Sequence, residues 1–303
     1  MGAVYRMLSD LTENELNQRF EMLPNGHPAK APYHIFQQAG DKVRGGVIIG
    51  LGARLQVFQN ASICDITAQD EFDLSRPGRE KCAFFCISSD QDSTFDFLSS
   101  LFFSFLFIKL VRYADAEGAD GKLPIGVNFV LDEFPNLGVI NDFKKKISTV
   151  RSRNIGISVI LQNIAQLKNR YPNDEYLEIL GNCDTQIALG CTDEVTARFI
   201  SNRTGEVTID VNSQSKQLYA MRMTDYTPEY RETNSVGRRK LMTADEVLRM
   251  PLDEALIILR GQNVFKVKKF DYTRHPESRK LKKCKAAAYI PDWRKEQAKD
   301  DSI

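Results

Sequence analysis

A chain of 303 residues, 42% hydrophobic and 27% charged, is long enough for one large globular domain or two smaller ones with a real core. Its 41 basic and 40 acidic residues leave a formal net charge of +1, so bulk charge offers no case for nucleic acid, although basic residues outnumber acidic ones from Lys266 to Lys299. No signal-peptide pattern is legible at Met1, and the most apolar stretch, Phe95 to Val111, is broken by Asp96, Ser99, Ser100, Ser104 and Lys109, which reads as a buried amphipathic helix and not a membrane span.

The first sixty-odd residues predict helices and no strand. Ala3 to Leu8 is a short helix, and Thr12 with Glu15 forms a capping box for a helix running to about Met22. Pro24-Asn25-Gly26 and Pro28 punctuate, and Tyr33 to Ala39 is helical again. Asp41 is expected to cap a helix through about Phe58, with Val43, Val47, Leu51, Leu55 and Phe58 at helical spacing.

Near Phe72 the pattern changes. Lys81 to Ser88 (KCAFFCIS) predicts a buried strand, Thr94 to Tyr113 a long apolar helix, and Gly126 to Leu131 a second strand. Ile140 to Arg153 predicts a helix with a basic face, Ile155 to Leu161 a strand, Tyr176 to Leu180 a helix and Thr185 to Leu189 a strand. Thr192 or Asp193 caps a helix to Arg203. Strand–helix alternation at this spacing implies βαβ units and a doubly wound parallel sheet. Asp210 to Arg239 is polar and aperiodic, the pattern of a long flexible hairpin or loop. Thr243 caps a short helix, and Glu254–Arg260 and Asn263–Phe270 predict two final strands turning at Gly261-Gln262. The tail after His275 is basic and expected to be poorly ordered. Six cysteines, Cys64, Cys82, Cys86, Cys183, Cys191 and Cys284, fall mostly in apolar runs without a C-x-x-C pair, and read as reduced core thiols without zinc.

The chemistry concentrates in Val127 to Gly138, VNFVLDEFPNLG. Val127, Phe129, Val130 and Leu131 make the strand, Asp132 and Glu133 follow at its carboxyl end, and Pro135 and Gly138 break it. Ligands of open α/β sheets sit at the carboxyl ends of strands. A hydrophobic strand ending in Asp-Glu is the Walker B arrangement of RecA-like and P-loop ATPases, in which Asp132 holds Mg²⁺ and Glu133 polarises the attacking water. The competing reading is a strand end whose carboxylates cap the next helix. No G-x-x-x-x-G-K-[ST] occurs; the only glycine-dense stretch, Gly45-Gly46 to Gly52, lacks the Lys-Ser/Thr ending that cradles phosphates.

Three segments, LDEFPNLG (Leu131–Gly138), ILQNIAQL (Ile160–Leu167) and ILGNCDTQIALG (Ile179–Gly190), together with Asp193-x-x-Thr196-Ala197, Leu241-Met242-Thr243 and DEALIILRG (Asp253–Gly261), resemble in order and spacing the type IV coupling proteins, the TraG/TraD-type ATPases of conjugation and type IV secretion. The resemblance covers most of Phe72 to Phe270. It implies a RecA-like P-loop-type domain with an all-α domain inserted between its Walker A and Walker B parts. On that plan residues 1–68 are the end of the inserted all-α domain, 69–275 the Walker B part of the nucleotide-binding domain, and 276–303 a basic flexible tail. The Walker A loop and a transmembrane region are expected upstream, which leaves nucleotide binding by this chain alone in doubt.

The same resemblance assigns further roles. Gln162 is a sensor whose amide bonds the γ-phosphate, against a reading in which it caps the helix at Asn163. Arg151 is the preferred arginine finger and Arg153 the second choice, acting on a neighbour's nucleotide; the alternative for both is a favourable charge at a helix C-terminus. Lys144, Lys145 and Lys146 are candidates for non-specific contact with DNA phosphates, with a solvated basic face as the alternative. Asn182 shapes a turn, and Cys183 is core. The implied whole is a membrane-anchored homo-hexamer using ATP and Mg²⁺, with DNA, a relaxase and type IV secretion channel proteins as partners, working at the cytoplasmic face of the cell membrane. The rivals are a non-catalytic module that docks substrate proteins, and another RecA-like DNA translocase of FtsK type.

Overall fold

The computed structural model describes residues 2–68, 73–89, 93–216 and 230–283. Two compact units are present, Met1–Arg76 and Pro77–Ile303.

The first unit is helical throughout its described residues: α1 (Gly2–Asp10), α2 (Glu13–Glu21), α3 (Lys30–Gln38), α4 (Asp41–Leu55) and α5 (Ala61–Ala68). The capping box at α2 forms as its sequence dictates, with Thr12 and Glu15 exchanging side-chain and backbone bonds. Phe20 stacks on Tyr33 at 3.7 Å between ring centroids, tying α2 to α3. Two expectations for α4 are corrected. Gly40 occupies its N-cap and Asp41 is already helical, because Arg44 one turn on draws the Asp41 carboxylate to 2.6 Å. The α-helix also stops at Leu55 and tightens into a 3₁₀ turn over Gln56–Gln59; of the five spaced apolar residues only Phe58 is buried, and Val43 is 60% exposed.

The second unit is built around α6 (Asp96–Glu117) lying on a parallel pair, β1 (Val127–Leu131) and β2 (Ile155–Val159), in register from Val127↔Ile155 to Leu131↔Val159. Helix α6 is long and apolar enough to cross a membrane; Leu101, Phe105 and Ile108 are exposed, while on one face Leu106, Phe107, Leu110 and Ala114 are buried, with the Phe107 ring stacked on Phe129 of β1 at 4.1 Å. Burial of these aromatic and aliphatic groups is the main source of stability in this layer.

Lys81–Ser88 does not form the expected strand. Among the described residues it joins no strand ladder, Phe85 and Ile87 are 87% and 74% exposed, and a cavity of about 640 Å³ lies between it and β1, lined by Phe84, Phe103, Leu106, Val127 and Phe129 among others. Apolar, β-favouring composition is present there, but a strand needs ladder partners as well as propensity. One edge of β1 is left unpaired among the described residues in consequence; separately, Val130 of β1 is 67% exposed. Cys82 and Cys86 line that cavity and are exposed by surface area, not packed as core thiols; Cys284 lies outside the described residues.

Helix α7 (Phe143–Thr149) connects β1 to β2, and α8 (Ile164–Arg170) and α9 (Glu175–Gly181) follow β2. Helix α7 starts three residues later than expected, because Asp142 adopts a left-handed conformation ahead of it, and its last turn tightens to 3₁₀ over Val150–Arg153. β3 (Thr185–Ala188) runs antiparallel to β6 (Glu254–Leu259), which pairs with β7 (Phe265–Lys268). The parallel component is therefore the single β1–β2 pair among the described residues, and β3 belongs to a separate antiparallel sheet. Between them in sequence lie α10 (Glu194–Thr204), capped by Asp193, and α11 (Ala244–Leu248), capped by Thr243. Ala197, Ile200, Val247 and Leu256 share one core. The polar Asp210–Arg239 region is a regular ribbon over most of its length: β4 (Glu206–Lys216) and β5 (Tyr230–Lys240) pair antiparallel through eleven positions, and its tip, 217–229, lies outside the described residues. The start of the tail is ordered into a 3₁₀ turn at Pro276–Lys280, and 284–303 lie outside the described residues.

Candidate functional site at the carboxyl end of the parallel pair

The two parallel strands are stitched together past their last ladder rung. Ile160 N–H donates to Leu131 O at 2.9 Å, and Phe134 N–H donates to Ile160 O at 2.9 Å. Asp132 and Glu133 lie between those two bonds, so the chain bends outward at exactly two residues, both carboxylates. The bend puts Glu133 at φ 49°, ψ 41°, the left-handed region. Phe134–Leu137 then closes a 3₁₀ turn with Phe134, Pro135 and Leu137 buried. Gly138 leaves that turn at φ 77°, and a Cβ there would stand 2.8 Å from the Asp96 carbonyl oxygen, so the motif glycine is needed on two counts.

A buttress beneath the turn holds it. Tyr171 is 2% exposed, stacks on Phe134 at 5.3 Å, and its hydroxyl oxygen accepts from Ile140 N–H at 3.1 Å. Burial pushes the Tyr171 phenol up to about 12. Arg170 donates Nε–H to Pro135 O at 2.7 Å and reaches Asp96 at 3.4 Å. Nothing in the sequence singles out Tyr171 or Arg170; both act through a turn they do not belong to.

On top of the turn, Asp132 is exposed and its Oδ1 accepts from Glu133 N–H at 3.1 Å. Glu133 is half-buried, and Gln162, just past β2, donates Nε2–H to its Oε1 at 2.7 Å. Asn136, a residue that sequence reasoning missed, donates Nδ2–H to Oε2 at 3.0 Å. Its position three residues after Glu133 in a tight turn was the available signal. Asn163 itself caps α8, accepting from Gln166 N–H at 2.8 Å, which leaves Gln162 free of that duty. Exposed carboxylate oxygens at a strand end are the donor set of a hard divalent cation such as Mg²⁺, so Asp132 suits one.

The arginines lie elsewhere. Arg151 and Arg153 precede β2, whereas Glu133 follows β1, so in this parallel pair of five-residue strands they sit at the opposite end, roughly 16 Å away at ~3.3 Å per residue. Arg151 is 83% exposed and meets Asp184 at 2.7 Å; Arg153 is 27% exposed and grips Asp115 with Nε and Nη2 at 2.9 and 3.3 Å. The three lysines separate. Lys144 pairs with Glu175 and Glu178, whose hydrogen bonds hold its ammonium above the usual range; Lys146 donates to Asn141 O; Lys145 is 75% exposed, with Asp142 at 3.7 Å. Asn182 caps α9 by donating to Glu178 O, and Cys183 is half-buried.

A helix-backed parallel pair with adjacent carboxylates at its carboxyl end is the arrangement expected of the Walker B part of a RecA-like fold. The solved plasmid coupling protein TrwB in complex with ADP and Mg²⁺ has the same fold, at a TM-score of 0.60 and 14% identity over 90% of this chain and 59% of that one. The sulphate-bound trigonal form of TrwBdeltaN70 gives 0.61 at 15% identity over the same shares. The chain belongs to the family described as type IV secretory system conjugative DNA transfer, whose model matches residues 1–299. It is 24% identical to Protein VirD4 of Rhizobium rhizogenes over 80% of this chain and 34% of that protein. It is 34% identical to conjugal transfer protein TraG of Escherichia coli over 46% of this chain and 22% of that protein. The chain thus spans about a third of the length of the VirD4 relatives it matches.

Proposed function

We propose that this chain supplies the hydrolytic half of a conjugative coupling-protein ATPase, which brings DNA and its relaxase to a type IV secretion channel at the cytoplasmic face of the cell membrane. The observation that carries the reading is the Asp132–Glu133 pair at the end of β1 with Gln162 of the parallel neighbour bonded to Glu133. Asp132 holds the Mg²⁺ of Mg-ATP. Glu133, aimed by its amide partners, takes a proton from the attacking water. Gln162 is placed to trade its bond to Glu133 for one to a phosphate oxygen, reporting the presence of that group. Mg-ATP supplies the phosphoryl group that the water attacks. The G-x-x-x-x-G-K-[ST] loop, whose backbone amides and lysine bind the β- and γ-phosphates, does not occur in this sequence, so the chain alone is expected to bind nucleotide poorly.

Arg151 lies too far from its own Glu133 to serve it and is exposed, which supports a role on the nucleotide of a neighbouring subunit in a homo-hexamer; Arg153, tied to Asp115, is the weaker candidate. Of the three lysines, Lys145 is the one exposed enough to meet DNA phosphates without first giving up a close ion pair. The absence of a phosphate-loop motif supports a second reading, a substrate-docking module without turnover. In the whole coupling protein, Glu133→Gln is expected to stop hydrolysis and DNA transfer while leaving ATP binding intact. Wild-type transfer by that variant would falsify the assignment and favour the docking module.

A further inference from the structure

Both oxygens of the Glu133 carboxylate are engaged, Oε1 by the Gln162 amide at 2.7 Å and Oε2 by the Asn136 amide at 3.0 Å. Its backbone is left-handed, a conformation that costs a non-glycine residue free energy and persists only where the surroundings over-determine it. Here the surroundings do so: Ile160 bonds Leu131 and Phe134, on either side of the Asp132–Glu133 pair, and Asn136 N–H donates to Glu133 O at 2.7 Å. The strained backbone and the two amides together leave the carboxylate one orientation.

The two donors are not equivalent. Asn136 lies in the 3₁₀ turn that Glu133 caps, its own N–H donating to the Glu133 carbonyl, among buried Phe134, Pro135 and Leu137. Gln162 comes from the other strand and is exposed. One arm is fixed by the turn that carries the carboxylate, and the other can swing away.

We propose that Asn136 is the positioning residue for Glu133, the fixed arm of a two-amide clamp whose releasable arm is Gln162. The proposal rests on the reading of Glu133 as the water-polarising carboxylate. When Gln162 leaves Oε1 for a phosphate oxygen, Oε1 becomes free to accept from water, and Asn136 alone keeps the carboxylate aimed. Each amide carries two N–H donors and the ionised carboxylate only accepts, so the exchange leaves no acceptor pair in conflict. The other charged groups at the turn are Asp132, whose Oδ1 accepts from Glu133 N–H, and Arg170, which is occupied by Pro135 O and Asp96.

The test compares the side-chain amide resonances of Asn136 and Gln162 in this chain by ¹⁵N NMR at one neutral pH across the wild type, Asp132→Asn and Glu133→Gln. Both amides are expected to move together in Glu133→Gln, which removes the charge they bind, and to stay in place in Asp132→Asn. An Asn136 amide that does not move in Glu133→Gln, or that moves as far in Asp132→Asn, overturns the clamp. A second arm uses the whole coupling protein. There Asn136→Ala is expected to lower kcat about tenfold with KM for ATP unchanged, and Asn136→Gln to restore part of the loss. Unchanged kcat, or a rise in KM alone, overturns the positioning role. If the two amides follow Glu133 but Glu133→Gln hydrolyses ATP like the wild type, the clamp stands and the ATPase reading falls.

Discussion

Tyr171 shows how much of this site is carried by residues without chemistry of their own. Its hydroxyl is the partner of the buried Ile140 N–H, and its ring backs Phe134 under the carboxylate turn. Tyr171→Phe keeps the ring and orphans the amide, which is expected to cost about 1–3 kcal/mol. Thermal melting with the hydrogen-exchange rate at Ile140 checks this; unchanged exchange at that amide would remove Tyr171 from the buttress. Gly138 makes a parallel case. Gly138→Ala adds a Cβ against the Asp96 carbonyl at a positive φ, and should destabilise by about 1–3 kcal/mol. At this scale the motif residues were legible because carboxylates at a strand end and a glycine after a tight turn have local causes. Tyr171, Arg170 and Asn136 were not, since their roles arise from packing and a turn geometry that composition does not report.

Elements whose ends are written in local side chains came through from sequence with little change. The Thr12/Glu15 capping box forms, and the cap expected at Thr243 proves to be a second box, closed by Glu246. The second has a measurable pH signature. The Thr243 backbone N–H, followed by the Arg239 guanidinium, holds the Glu246 carboxyl down to about 2 from its ordinary 4.5. A depressed carboxyl contributes stability that is fully present above its unfolded value and is lost as pH falls through the folded one. Between pH 5 and 2 the wild type should therefore lose more stability than Glu246→Gln, read as converging melting temperatures; parallel curves would contradict the box. Thr243→Ala should cost about 1 kcal/mol through the lost cap. Lys81–Ser88 is the counterexample. Its composition suits a strand, but strand formation is a property of a pair, and its neighbour across the cavity does not reach it. For the same reason Thr185–Ala188 and Glu254–Leu259 were each legible as strands while their antiparallel pairing was not.

In the whole molecule the two candidate arginines and the carboxylates lie at opposite ends of the parallel pair, which makes the proposed arginine role a property of an assembly. In the whole coupling protein Arg151→Ala is expected to abolish hydrolysis, and mixing it with a phosphate-loop variant should restore part of it where an intact nucleotide site meets an intact Arg151. A merely helix-stabilising arginine lowers the melting temperature and shows no complementation; Arg153→Ala is the control. The central claim is that this chain holds the carboxylate half of a hydrolytic site and lacks the phosphate-binding half. Steady-state Mg-ATP turnover by the purified chain tests it most directly. The expected result is no turnover above background, and none gained or lost in Glu133→Gln; turnover by the wild-type chain that Glu133→Gln abolishes would contradict it.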